Sequence, residues 1–138
     1  MESIIHRELR NFLTKKRCTL LGVGPMSVNC VNASIELSNL HEIPLMLIAS
    51  RRQIDSSEFG GGYVNNWSTN EFSEYVTQRD KGKQIILARD HGGPWQNNIE
   101  IDKKFNLDQA MSSAKMSYKS DIDSNFKLLH IDPSIDIH

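Results

Sequence analysis

The amino-acid sequence predicts an α/β fold built on a parallel sheet. Four short, continuously apolar segments are spread along the 138-residue chain, and this pattern is typical of buried parallel strands. Segments with apolar residues at helical spacing separate them, so strands and helices alternate. The length corresponds to one domain, since a domain holds about 150 residues. We therefore expect a single α/β domain.

The predicted elements follow in the order helix, then strand and helix three times, then a strand. Residues 1–17 are predicted to form an amphipathic N-terminal helix, and residues 18–138 three strand–helix units and a fourth strand. Ser27 and Ser68 are favourable N-cap residues, and Glu71 completes a capping box with Ser68. The predicted strands are the apolar runs at residues 19–23, 45–49, 84–88 and 127–131. The later helices are predicted at residues 28–40, after Ser68, and at residues 107–118.

The spacing of the strands leaves two architectures to compare. Strand starts near residues 20, 45, 85 and 128 give strand–helix units of about 36 residues on average. An open doubly wound sheet could be complete at this length. A (β/α)8 TIM barrel would need about 290 residues for eight such units, which is within its usual size. Under the barrel hypothesis, the chain holds about the first four strand–helix units, a half barrel with an N-terminal helix.

Composition argues against several classes of function. The 16 Lys and Arg residues nearly balance the 17 Asp and Glu residues, and the pI is about 6.5, so nucleic-acid binding is not expected. No apolar run reaches the roughly 18 residues of a membrane helix, so a membrane-spanning protein is not expected either. Residues 1–17 lack the features of a secretory signal, and the two cysteines form no CxxC motif. A cytoplasmic protein is predicted.

The strongest candidate for chemistry is the pair Asp90–His91, directly after the third predicted strand. Ligands bind at the carboxyl ends of parallel strands in both architectures. A neutral imidazole is a good zinc ligand, and a neighbouring carboxylate can transfer protons beside the metal. His91 is therefore a predicted metal ligand and Asp90 a predicted catalytic residue. The alternative is a turn aspartate next to a hydrogen-bonded histidine.

Further candidates follow the other strands. His130 and Asp132 are two residues apart and so share a face at the end of the fourth strand. Arg51 and Arg52 follow the second strand and suit an anionic substrate, and the glycine-rich loop could offer backbone N–H groups to a phosphate. Alternatively, these residues could serve in helix capping, in a mobile loop or as surface charge, without forming a binding site. The predicted substrate-binding residues are Arg52, Gln53, Gly61, Gly62, His130, Asp132 and Ser134.

Three segments together carry a family resemblance. QIDSSEFGGGYVNNWSTNEF (53–72), ILARDHGGPWQ (86–96) and LLHIDPSID (128–136) resemble the non-catalytic subunit of tagatose-bisphosphate aldolase, which belongs with the class II sugar-phosphate aldolases. The resemblance implies a cytoplasmic TIM barrel acting in carbohydrate metabolism. It also implies that Asp90 acts as acid and base and that His91 binds Zn²⁺. Arg52 departs from the family, which usually has asparagine at this position.

The resemblance leads to one functional hypothesis with two alternatives. The chain would bind a sugar phosphate and support the activity or stability of a catalytic class II aldolase subunit. One alternative is a fragment of a metal-dependent ketose-phosphate epimerase or aldolase that uses Asp90 and His91. The other is a degenerate half barrel without catalytic activity that associates with itself or with a partner. The zinc ligand set is incomplete here, because the remaining ligands of these aldolases come from later strands.

Overall fold

A computed structural model describes residues 10–11, 13–15 and 19–137. Of the predicted N-terminal helix, residues 10–11 and 13–15 are helical, and the rest of 1–17 lies outside the described residues. The following elements are β1 (Gly22–Val23), α1 (Val28–His41), β2 (Leu45–Ser50), a 3-10 turn (Ser57–Phe59), α2 (Thr69–Arg79), β3 (Ile85–Gly92), α3 (Asn98–Asp102), α4 (Leu107–Asp123) and β4 (Leu128–Ile131). None of the described helices is long and apolar enough to cross a membrane.

The sheet formed by the described residues is open, so the prediction of a TIM barrel or half barrel is wrong. Its strands pair in parallel in the order β1-β2-β3-β4, with β1 and β4 as edges. The α/β class itself is confirmed. The described strands do not form the doubly wound alternative either, because their order shows no reversal. The spacing of the strand–helix units could not distinguish a barrel from an open sheet. Closure of a sheet into a barrel depends on strand tilt and stagger rather than on the length of each unit.

The longer helices form one layer beside the sheet. α1 contacts β2, α4 contacts β3, and α2 contacts both α1 and α4. Right-handed crossovers between strands in sequential order place successive helices on the same face. Alternate residues of β2 and β3 meet these helices in the apolar core, whose members include Leu45, Leu47, Ala49, Ile85, Leu87, Val31, Ile35, Phe72 and Val76.

The N-terminal caps of two helices agree with the sequence, whereas several other boundaries differ, one of them in a strand that matters for function. Ser27 caps α1 and Ser68 caps α2, where both hydrogen bonds of the capping box with Glu71 are formed. β1 is shorter than predicted, and the short helix α3 was not predicted. The largest difference is β3, which continues through the segment 89–92 that the sequence indicated as a loop. This extension carries Asp90 and His91 on the strand itself.

Candidate functional site

Polar side chains from neighbouring strands meet at the carboxyl edge of the sheet. A cavity of about 340 Å³ opens there. Its lining comes from the ends of β2 and β3 and from the segments after β2, β3 and β4, and consists of Ser50, Arg52, His91, Gln96, Ser134 and Ile135. Three of the predicted site residues, Arg52, His91 and Ser134, therefore share one cavity.

The end of β3 is shaped so that His91 meets the end of β4. Pairing between the two strands is irregular from Arg89 to Gly92, and His91 has a φ of 44°, in the left-handed region. The backbone N–H of Asp132 donates to the Gly92 carbonyl at 2.6 Å. A Cβ added at Gly93 would overlap the carbonyl oxygen of Asp132. The absence of a side chain at Gly93 thus allows the ends of β3 and β4 to approach closely.

His91 and Asp132 form a hydrogen-bonded pair. Nδ1 of His91 lies 2.6 Å from Oδ2 of Asp132. A carboxylate oxygen only accepts hydrogen bonds, so Nδ1 carries the proton and Nε2 of the neutral ring keeps its lone pair. The hydrogen bond to Asp132 raises the pKa of the His91 imidazole, although burial and the charge of Arg52 act in the opposite direction. Hydrogen bonds from Ser134 and His91 lower the pKa of the Asp132 carboxyl to about 2.

The carboxylate of Asp90 lies between two histidines. Its Oδ2 is 3.7 Å from Nε2 of His91, and its Oδ1 is 3.3 Å from Nδ1 of His130. The two ring centres are 6.1 Å apart, and all three side chains are about half exposed. Such a group can exchange protons with a bound molecule or accept hydrogen bonds from its hydroxyls. The structure thus brings together Asp90, His91, His130 and Asp132, four of the predicted residues.

The remaining predicted residues are engaged elsewhere. The N–H of Gly61 donates to the Ser56 carbonyl, and the N–H of Gly62 donates to the Trp67 carbonyl. The side-chain oxygen of Gln53 accepts from a backbone N–H at the end of β2, at 2.8 Å. None of these three residues lines the cavity. Their role in substrate binding stays a prediction, and the arrangement at the cavity does not use them.

A buried ionic network supports the loops that carry the cavity. Nε of Arg51 lies 3.0 Å from Asp55, and its Nη1 lies 2.6 Å from Glu100 and 2.8 Å from the Gly93 carbonyl. These three charged side chains are at most 1% exposed. The network joins the segment after β2 to the segment after β3. The sequence could not separate Arg51 from its exposed neighbour Arg52, because both directly follow the strand.

Gln96 and Tyr118 contribute hydrogen bonds to the site but were not predicted from the sequence. Nε2 of Gln96 donates to Oδ2 of Asp132 at 2.9 Å, and the hydroxyl of Tyr118 on α4 donates to the Gly92 carbonyl. Burial raises the pKa of Tyr118, which keeps its hydroxyl protonated as a donor. Gln96 ends one of the segments that carry the family resemblance, and this was the available signal. Tyr118 had no signal beyond its place in a predicted helix.

The predicted zinc site lacks a full set of ligands in the part of the chain that the structure describes. Residues 10–11, 13–15 and 19–137 contain no group of three or more His, Cys, Asp or Glu side chains able to hold a metal ion. A catalytic zinc takes three protein ligands. Asp90 and His91 alone do not meet that requirement. Binding of Zn²⁺ by His91 stays a prediction.

The fold and this edge define an α/β protein with a candidate site at the carboxyl ends of parallel strands. A crystal structure of similar fold is that of a probable tagatose 6 phosphate kinase from Sinorhizobium meliloti 1021, with a TM-score of 0.68 and 20% sequence identity. The similarity covers 86% of this chain and 30% of that chain, so this chain spans about 30% of that protein's length. At this identity the likeness shows the fold alone. No family model matches the sequence.

The His91–Asp132 pair makes stability depend on pH. The raised pKa of His91 adds stability that is complete below about pH 6.5 and is lost as the pH rises through the folded pKa. The lowered pKa of Asp132 adds stability that is complete above about pH 4 and is lost on further acidification. Urea unfolding should therefore show the largest difference between wild type and Asp132→Asn from about pH 4.5 to 6.5.

The matched control for this pH series is Asp123→Asn, which removes an exposed carboxylate paired with Lys119. Its difference from wild type should not vary between about pH 6 and 8, since no histidine contributes to that pair. A difference for Asp132→Asn that is equally flat across this range would contradict the assigned pairing.

Proposed function

We propose that this chain is a cytoplasmic protein of carbohydrate metabolism that binds a sugar phosphate at the carboxyl ends of β2, β3 and β4. The observation that carries the proposal is the cavity in which Arg52 and His91 lie together beside Ser134. A guanidinium suits a phosphate group, and so does the His91 imidazole once it is protonated, because Nε2 then donates as well. The raised pKa of His91 favours this protonated form. The neighbouring carboxylate of Asp90 suits sugar hydroxyls, which donate hydrogen bonds to it.

The proposed role is to support a catalytic class II aldolase subunit. It rests on the resemblance of three segments to the non-catalytic subunit of tagatose-bisphosphate aldolase. The similar crystal structure is named as a kinase of a tagatose phosphate, which agrees with a sugar phosphate as the ligand. Co-expression with such a catalytic subunit should raise its activity or its soluble yield. No effect on the activity or yield of that subunit would contradict the supporting role.

A second candidate is a fragment of a metal-dependent ketose-phosphate epimerase or aldolase that uses Asp90 and His91. The observation in its favour is the orientation of His91, whose Nδ1 is held by Asp132. Metal-binding histidines are commonly held by a carboxylate in this way, with the other nitrogen facing the metal. Purified protein with bound Zn²⁺ and ketose-phosphate turnover, both reduced in His91→Ala, would favour this candidate. Metal-free protein that neither binds nor turns over sugar phosphates would favour a degenerate chain.

Replacing Arg52 with glutamine should weaken binding of D-tagatose 1,6-bisphosphate or D-fructose 1,6-bisphosphate by about 10-fold or more. A hydrogen bond to a charged group contributes about 1.5–3 kcal/mol, and about 1.4 kcal/mol corresponds to a factor of ten. Isothermal titration calorimetry measures the Kd directly. D-fructose, which carries no phosphate, should bind more weakly and show no dependence on Arg52.

The matched control for the binding measurement is Arg79→Gln. Arg79 lies at the end of α2, where its guanidinium stacks on Tyr75 at 3.6 Å from the ring centre. Its removal should leave the Kd unchanged. Equal losses for the two variants, or equal Kd values for the phosphorylated and unphosphorylated sugar, would reject the proposed site.

A further inference from the structure

Gln96 occupies a position that links three segments of the site. Its side chain is only 5% exposed, although it lines the cavity. Nε2 donates to Oδ2 of Asp132 at 2.9 Å, and this same oxygen lies 2.6 Å from Nδ1 of His91. The other oxygen of Asp132 accepts from the backbone N–H of Ser134 at 2.9 Å. Asp132 is therefore held from three directions.

The hydrogen-bonding groups determine the direction of each bond. A carboxylate oxygen has no proton to give, so the amide nitrogen of Gln96 rather than its oxygen must face Asp132. For the same reason the proton shared by His91 and Asp132 belongs to Nδ1 of the ring. Two donors thus converge on one oxygen, and the rotation of the Asp132 carboxylate is restricted by both.

The residues on each side of Gln96 are anchored to buried charges. The N–H of Trp95 donates to Glu100, and the side-chain nitrogen of Asn97 donates to Asp55 at 2.8 Å. Both acceptor side chains are 0% exposed. Because its neighbours are fixed in this way, Gln96 is a rigid support and not a surface side chain that happens to reach Asp132.

We propose that Gln96 is a positioning residue that orients Asp132 and, through it, holds His91 as the Nδ1-protonated tautomer with Nε2 available to a ligand. This tautomer is the reverse of the one that a free imidazole favours, so it has to be imposed by its surroundings. Only the binding of a ligand at Nε2 rests on the proposed function. The tautomer itself is a property of the protein without ligand.

Replacing Gln96 with methionine tests the proposal, since methionine has a similar length and no donor. Long-range ¹H–¹⁵N NMR at a pH where His91 is neutral should show a single Nδ1-protonated tautomer in the wild type. In Gln96→Met we expect this tautomer to lose its dominance, with the Nε2-protonated form becoming the larger population. Gln96→Asn, which is one methylene too short to reach Asp132, should give the same change while keeping a polar side chain.

The control variant is Gln78→Met on the exposed surface of α2, which should leave the His91 spectrum unchanged. Urea unfolding of each variant verifies that the spectra come from folded protein. A single Nδ1-protonated tautomer in both Gln96 variants would overturn the proposal, because Asp132 would then hold His91 without assistance. The spectra are recorded without sugar phosphate. A failure of sugar-phosphate binding would therefore not affect the test of the tautomer, and a failure of the tautomer test would not affect the proposed sugar-phosphate site.

Discussion

Replacing Arg89 with methionine is expected to lower the free energy of unfolding by about 3–5 kcal/mol, because it leaves a buried carboxylate without its partner. Arg89 and Asp121 are both 0% exposed. Nε and Nη2 of the guanidinium donate to the two oxygens of Asp121 at 2.8 and 2.6 Å. Nη1 also donates to the carbonyls of Ala49 and Ile54, which lose this donor in the variant. Urea denaturation gives the free energy.

The control for Arg89 is Lys119→Ala, which removes an ion pair that is mostly exposed. Exposed pairs contribute about 0–1 kcal/mol, so this loss should be several times smaller. The double variant Arg89→Met/Asp121→Leu should recover part of the stability, since it no longer contains the uncompensated charge. Equal losses for Arg89→Met and Lys119→Ala would show that the pair is not buried in solution.

Replacing Gly93 with alanine is expected to separate the ends of β3 and β4 and to lower the free energy of unfolding by about 1–3 kcal/mol. The added Cβ would overlap the carbonyl oxygen of Asp132, a backbone atom that cannot turn aside as a side chain would. The displacement also separates His91 from Asp132. Urea denaturation measures the first effect, and loss of the pH dependence assigned to the His91–Asp132 pair measures the second.

Gly82→Ala is the matched control for this change. Its added Cβ would meet its nearest atoms at 3.5 Å, which is an ordinary contact. The free energy of unfolding should then change by no more than about 0.5 kcal/mol. If Gly93→Ala were as stable as Gly82→Ala and kept its pH dependence, the close approach of the two strand ends would be contradicted.

Local features of the fold could be predicted from the sequence because they depend on neighbouring residues. Ser68 and Glu71 are three residues apart, and their capping box forms as the spacing indicates. β2 begins directly after Pro44, which the sequence explains because proline cannot donate within a central strand. The sequence also allowed one group of site residues to be predicted, because parallel strands end at the same edge of a sheet. This group consists of Asp90, His91, His130 and Asp132.

Features that depend on distant partners could not be predicted. Gln96 and Asp132 are 36 positions apart in the chain, and no pattern around either residue indicates their hydrogen bond. Arg51 directly follows an apolar strand, and Arg89 lies within one. From the sequence, a buried arginine at these positions cannot be distinguished from one that faces solvent. The barrel prediction was wrong for a similar reason. Spacing describes each strand–helix unit, whereas closure is a property of all strands together.

The ion pair of Arg89 and Asp121 helps to fix the register of β3 in the sheet. Ile85 and Leu87 are the residues of β3 in the apolar core beside the helices, so a slip of two residues would still bury an apolar side chain at one of these two places. Such a slip moves the strand by about 7 Å, far more than a bidentate pair tolerates. The hydrophobic pattern and the buried charges therefore favour the same register, the one in which Asp90 and His91 reach the edge.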